Sequence, residues 1–351
     1  DHRYLIRTGA RRGPAEGIMR AVVALVEARP ETIMEDYQRV IGLAGLSRRM
    51  GNDPVALVPR GRSGGWTPGV GSPPWQLDGV LSWLTGREAG PGKAPVVLSV
   101  GSGDGSVAAE SWGWPDVMVR HGAETASGHF RGRRSFRSDP PLPALDAALA
   151  RGLELPAGLR DRMTLLLPVP SLVPDGPVSG AVDLLTDLLT PDFRPAKGPA
   201  GLEARSDVLL FARQALPGLA VVMDAVHWRV GRAGVARNIL LAGSDPVAVD
   251  AVAARIAGRD PERDGFFRLC RDEYLGAVRE SDIRLVGRAD LMGLDFGVSE
   301  KMVGGTLPDW LHKPADHVLG KVRKRSSDEK RHSRTPWGRL FADYRAPGPV
   351  G

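Results

Sequence analysis

The chain has 351 residues, with 47 Lys+Arg, 41 Asp+Glu and a formal net charge of +6. Nine basic residues face three acidic ones after Gly320, while residues 1–320 carry 38 of each, so the excess charge belongs to the tail and a nucleic-acid binder with a cationic body is excluded. An apolar share of 42% excludes a disordered chain, and a single cysteine, Cys270, excludes an internal disulfide and an iron–sulfur cluster held by this chain alone.

Residues 4–7 read as a first strand. Residues 15–28 show helical spacing, with Ile18, Val22, Leu25 and Val26 on one face. A second helix is expected over 32–46, with Thr32 as N-cap and Glu35 at the capping-box position. Residues 54–58 form a short apolar strand, 60–74 a long Gly/Pro/Ser loop, and 75–85 a helix carrying Leu77, Val80, Leu81 and Leu84. The run Pro95–Val100 has the unbroken apolar character of a strand buried on both faces, and 111–141 is expected to be irregular. A short helix at 144–150 and a strand at 163–169 follow, then helices at 178–189 and 202–216. Strands are expected at 219–223, 238–242 and 283–286, with helices at 247–257 and 263–275 between the last two. Alternating strands and helices over about 290 residues predict an α/β fold with a largely parallel sheet, followed by an irregular, basic C-terminal extension at 291–351.

Four segments have residue types suited to chemistry. The strand 97–100 runs into Gly101-Ser102-Gly103-Asp104-Gly105, where backbone N–H groups can approach a phosphate; it matches neither G-x-G-x-x-G nor the P-loop, and a tight surface turn is the better reading. Asp224 closes an apolar strand where α/β proteins bind ligands, and His227 three residues on is a candidate base or acid, against the plainer reading of a loop cap and a packed imidazole. Asp245 and Asp250 flank a helix start, as a candidate divalent-metal or cation pair, with Pro246 suited to the first helical position and Asp245 also readable as a simple cap. The run 130–137, with Arg133 and Arg134 among four arginines and two phenylalanines, suits bidentate capture of an anion or stacking on single-stranded bases, although such a run is more often a solvated loop. Arg232 joins these as a candidate anion ligand. His121 and His129 match no standard metal spacing, and Cys270 sits on an apolar helical face as a core thiol.

Residues 219–224, 231–234, 241–258 and 283–287 resemble the C-terminal half of the domain-of-unknown-function 362 family, the stretch Asp-Pro-Val-Ala-Val-Asp-Ala-Val-Ala (245–253) most closely. Weaker likenesses extend this over about 4–290. The resemblance implies the fold and a cleft, without naming a reaction. The chain departs from the family at Val58-Pro59-Arg60, where a Lys-Pro-Asn is usual, at 168–173, where the family's Lys and His are missing, and in lacking ferredoxin-like cysteine motifs.

The sequence therefore leads to an expected body over 1–290. It is an enzyme or ligand-binding protein for a small anionic substrate, with Asp224, His227 and Asp250 as catalytic candidates. Gly101, Gly103, Asp104, Arg133, Arg134 and Arg232 are the candidate binding groups, and Asp245 with Asp250 the candidate metal ligands. The competing expectation is a non-catalytic accessory protein whose basic tail docks on a protein partner, RNA or an anionic membrane. No apolar run approaches the ~20 residues that span a bilayer and no secretory signal pattern is visible, so a cytoplasmic location is expected.

Overall fold

The structure is a computed structural model, and it describes residues 20–51, 53–61, 68–86, 94–98, 100, 113–125, 133–149, 152–156, 158–159, 161–172, 178–190, 198–230, 233–293 and 332–345. The strand expected at 4–7 and the loop 101–105 lie outside these residues, as do His129, Arg232 and the basic run 321–331.

Strands β1 (Ala21–Glu27), β2 (Val55–Pro59), β3 (Val96–Val97), β4 (Glu124–Thr125), β7 (Met163–Leu167), β10 (Leu219–Val230), β11 (Ala233–Gly243) and β12 (Ile283–Gly287) form one sheet in the order β12-β1-β11-β10-β7-β2-β3-β4. Along this path only β11 runs against its neighbours. Short strands β8 (Ser171–Leu172) and β9 (Val178–Ser179) add to β10, and β5 (Arg133–Ser135) pairs with β6 (Glu154–Pro156) as a separate ribbon.

Both faces of the sheet are covered, as a parallel sheet requires. One face packs on helices α1 (Ile33–Leu43), α2 (Leu46–Met50), α3 (Pro74–Thr85), α4 (Trp114–Arg120) and α10 (Pro336–Arg345). The other packs on α5 (Pro143–Ala148), α6 (Ala181–Leu189), α7 (Pro199–Ala215), α8 (Pro246–Ile256) and α9 (Gly265–Asp272). The strands feed both cores by simple alternation: Val23 and Leu25 point to the second core, Ala24 and Val26 to the first.

Several expected elements differ. The helix expected over 15–28 is strand β1 in its described part. Its run Ala-Val-Val-Ala-Leu-Val is short, β-branched and buried on both sides, and helical spacing cannot be told from a two-sided strand over so few residues. The strand expected to end at Met223 continues to Val230 as a long hairpin with β11. Within 111–141, expected to be irregular, α4 forms behind Gly113 and Pro115, and buries Trp114, Val117 and Met118. Thr32 takes the N-cap position without a capping bond; Asp36, not Glu35, serves this turn, accepting from Arg29 N at 3.1 Å and Thr32 Oγ1 at 2.9 Å.

The direction in which successive strands are laid down reverses between β2 and β7. From β2 the connection through α3 moves to β3 on one face. From β7 the connection through α6 and α7 moves the opposite way to β10 on the other face. Strands β2 and β7 are parallel neighbours, and the two crossovers that leave their carboxyl ends diverge to opposite faces. In open α/β sheets this switch point is where ligands bind.

Candidate functional site

The carboxyl ends of β2 and β7 are tied together by one hydroxyl. Ser72 Oγ accepts from Arg60 N at 2.8 Å and donates to Leu167 O at 2.5 Å, while Ser72 N donates to Arg60 O at 3.0 Å. Arg60 also bridges to Val100 beyond β3, so three strand ends converge on it. Its guanidinium donates to Asp187 of α6 at 3.1 Å, with side chains 22% and 35% exposed, so water reaches both halves of the pair. Gln76, in the first turn of α3, is fully buried below this edge. Its Nε2 donates to Pro168 O at 3.1 Å and Val222 O at 2.9 Å, and its Oε1 has no hydrogen-bond partner among the described residues.

The sequence-expected acids lie on opposite sides of the sheet. Asp224 faces the α1/α3 core. Its Oδ2 accepts from Tyr37 Oη at 2.7 Å and Trp75 Nε1 at 2.8 Å, and its Oδ1 from Val226 N at 3.0 Å. Burial pushes its pKa up to about 6, and those donors hold it from rising further. Asp250 sits in α8, in the opposite core. Its two oxygens accept from Ala181 N at 2.9 Å and Val182 N at 3.0 Å, so it caps α6 from another helix. Burial raises its pKa to about 7, against the pull of these N–H groups. Asp245 caps α8 through Val247 N and Ala248 N, with Pro246 at the first helical position as expected, and also accepts from Ala277 N at 2.8 Å. Burial raises its pKa as well.

Each carboxylate thus serves backbone or ring donors. Among the described residues no group of three or more His, Cys, Asp or Glu is placed to hold a metal ion. Asp224 and His227 share a face, and Asp245 and Asp250 share the other; the structure does not bring the four into one cleft.

His227 is 6% exposed and held neutral, its pKa lowered to about 3 by burial and then by His332. Its ring stands 6.4 Å from Trp75, 5.2 Å from His332 and 6.1 Å from Trp337, the last two from the C-terminal segment. It comes to this side through an irregularity in the hairpin. Between the pairs Ala225–Ile239 and His227–Ala236, β11 carries one more residue than β10, and Asn238 there adopts φ 57°, a left-handed conformation that asparagine tolerates better than most.

Of the arginine run, Arg134 is exposed on β5 opposite Leu155, and Arg133 pairs through its backbone with Pro156. The loop residues Gly101, Gly103 and Asp104 lie outside the described residues. Cys270 is buried in α9, and its thiol pKa is pushed up by burial, as a core thiol's should be. His121 Nε2 lies 2.6 Å from Asp78 Oδ1, and among the described residues no second histidine joins it. No helix among the described residues is long and apolar enough to cross a membrane.

Sequence reading missed Arg60 as a site residue, together with Ser72, Gln76, Tyr37 and Asp78. The available signal was polarity inside an apolar helix: Gln76 and Asp78 flank Leu77 and are both buried. Comparison with known protein families, with curated proteins and with solved structures gives no match.

Proposed function

We propose that the chain binds a small anionic molecule at the carboxyl edge of its sheet, in the crevice between β2 and β7, with Arg60 as the principal cation. The observation that carries this is the position of Arg60. It stands at the strand-order reversal, its backbone is fixed by Ser72, and its guanidinium is partly open to water beside the Asp187 carboxylate. An incoming carboxylate or phosphate takes the bidentate geometry that guanidinium favours, in competition with Asp187. The N-terminus of α6, the other natural anion site at this edge, is already filled by Asp250. The anionic group therefore rests on Arg60 and not on the α6 amides. In this reading Asp224, Asp245 and Asp250 hold helices and strands in place. The likeness to the domain-of-unknown-function 362 family belongs to the same proposal and supports a cleft without naming a reaction.

The test is thermal unfolding of the full chain at fixed ionic strength with inorganic phosphate, pyrophosphate and citrate, chloride serving as control. At least one anion is expected to raise the midpoint of wild type and to lose most of that effect in Arg60→Ala. Equal responses in the two proteins, or none in wild type, would overturn the reading.

A further inference from the structure

The C-terminal segment 332–345 lies across the α1/α3 face, and its contacts follow a helix-in-groove pattern. Trp337, Leu340, Phe341 and Tyr344 recur at i, i+3, i+4 and i+7, and all pack on that core. Trp337 is the deepest, 4% exposed, with its ring 5.3 Å from Trp75 and its Nε1 donating to Asn238 Oδ1 at 2.9 Å. At the far end Tyr344 Oη donates to Asp78 Oδ2 at 2.6 Å. Between the segment and the last described residue of the body, Gly293, the chain has 38 residues, 294–331. A helix of ten residues is marginal on its own, so α10 owes its form to the groove.

The seam under α10 is where two imidazoles meet, His227 from β10 and His332 from the segment, with ring centres 5.2 Å apart. We propose that α10 is a detachable cover, a helix bound in cis to the groove beside Trp75 and Asn238, and released when the imidazoles at the seam take up protons. Two positive charges side by side at this seam are unfavourable, and burial lowers the pKa of both histidines there.

Among the described residues the other charged groups lie as follows. Asp224, behind Trp75, makes its bonds to Tyr37, Trp75 and Val226, all of the body, so its partners are the same whether α10 is docked or free. Arg29 and Glu31, in the turn before α1, are exposed to solvent. On the segment itself Arg334, Arg339, Asp343 and Arg345 are also exposed. At the far end Asp78 accepts from Tyr344 and Arg120 and lies 2.6 Å from His121 Nε2, so the histidine there faces a carboxylate. The acid-sensitive end is the His227–His332 end.

The sign is fixed by linkage. His227 has a pKa of about 3 when docked and an ordinary value of about 6.5 when free, so lowering the pH to 5 favours release by up to about 30-fold, and His332, whose pKa is also lowered, acts in the same direction. Release uncovers Trp75 and His227, which are 0% and 6% exposed with α10 in place.

The experiment is hydrogen–deuterium exchange of the full chain at pH 7.5 and pH 5.0, with rates corrected for intrinsic chemistry. It compares wild type with His332→Phe, which keeps a ring and removes the proton site. Protection of 332–345 is expected to fall at least tenfold at pH 5.0 in wild type while β1 and β10 keep theirs, and to fall by a smaller factor in His332→Phe, which keeps only the His227 site. Two results would overturn the proposal: unchanged protection of 332–345 in wild type, or loss shared with β1 and β10. Equal loss in His332→Phe would also overturn it. If His332→Phe does not fold, the wild-type comparison of 332–345 with β1 and β10 still decides.

Discussion

Replacing Asp250 with alanine removes the acceptor from two buried backbone N–H groups, Ala181 N and Val182 N, at the start of α6. A hydrogen bond to a charged acceptor contributes about 1.5–3 kcal/mol, so the gross loss is about 3–6 kcal/mol. Burying the carboxylate works the other way, as its pKa near 7 records, and the substitution relieves that cost. The expected net destabilisation is about 2–4 kcal/mol, large for a single residue. Asp250→Asn keeps one acceptor and sets an amide N–H₂ against the other donor, so it should cost less, about 1–2 kcal/mol. Urea unfolding followed by far-ultraviolet circular dichroism measures both. An alanine cost below about 0.5 kcal/mol would refute the capping role. So would millimolar magnesium or manganese stabilising wild type but not Asp250→Ala, because that behaviour belongs to a metal ligand.

Gly79→Ala places a Cβ within 2.5 Å of Tyr37 Cδ2, and that ring is anchored by its hydroxyl on Asp224; overpacking of this kind should cost about 1–3 kcal/mol in urea unfolding. Tyr37→Phe deletes one donor to Asp224, should cost about 1–2 kcal/mol, and should raise the Asp224 pKa above 6, readable by carboxyl titration in NMR. Asp250 contributes a pH slope of definite sign. Its folded pKa, about 7, lies above the ordinary value of 3.8, so the folded state holds the proton, and that stabilisation is complete below the unfolded pKa and lost as pH rises through 7. Between pH 6.5 and 8 wild type should therefore lose more unfolding free energy than Asp250→Asn, and parallel slopes would contradict the assignment. Asn238→Ala gives up both the left-handed conformation and the bond to Trp337, whereas Asn238→Gly gives up only the bond; alanine should be the costlier, by roughly 1 kcal/mol, in the same urea experiment.

Much of this architecture was legible in the residues, and the parts that were not share a cause. Gly-Ser-Asp-Pro before α8 announces a cap because donor and acceptor lie two and three residues apart, and Asp245 does accept from Val247 and Ala248. Asp250 is chemically as conspicuous, but its partners are 69 and 68 positions away, so its role appears only when α6 and α8 are packed. Asp224 is the same case, with Tyr37 and Trp75 at separations of 187 and 149. A carboxylate amid apolar residues signals a partner, and sequence cannot tell a helix terminus from a metal or a substrate. Strand β1 was hidden by composition, since an apolar run buried on both sides has no period to read. The switch point was hidden by topology. The sequence orders the strands as β2, β3, β7 and β10, and only the sheet shows that β7 inserts beside β2, which places Arg60 at the reversal.

The central claim is that the ligand edge is the carboxyl end of β2 and β7, and that the conspicuous aspartates are structural. Hydrogen–deuterium exchange of the full chain at neutral pH, with and without whichever of phosphate, pyrophosphate or citrate stabilises it most, tests this directly. Added protection is expected at residues 59–61 and 168–172, and it should be absent in Arg60→Ala. Protection appearing instead at 224–228 or 245–250 would contradict the account and return the site to the aspartates.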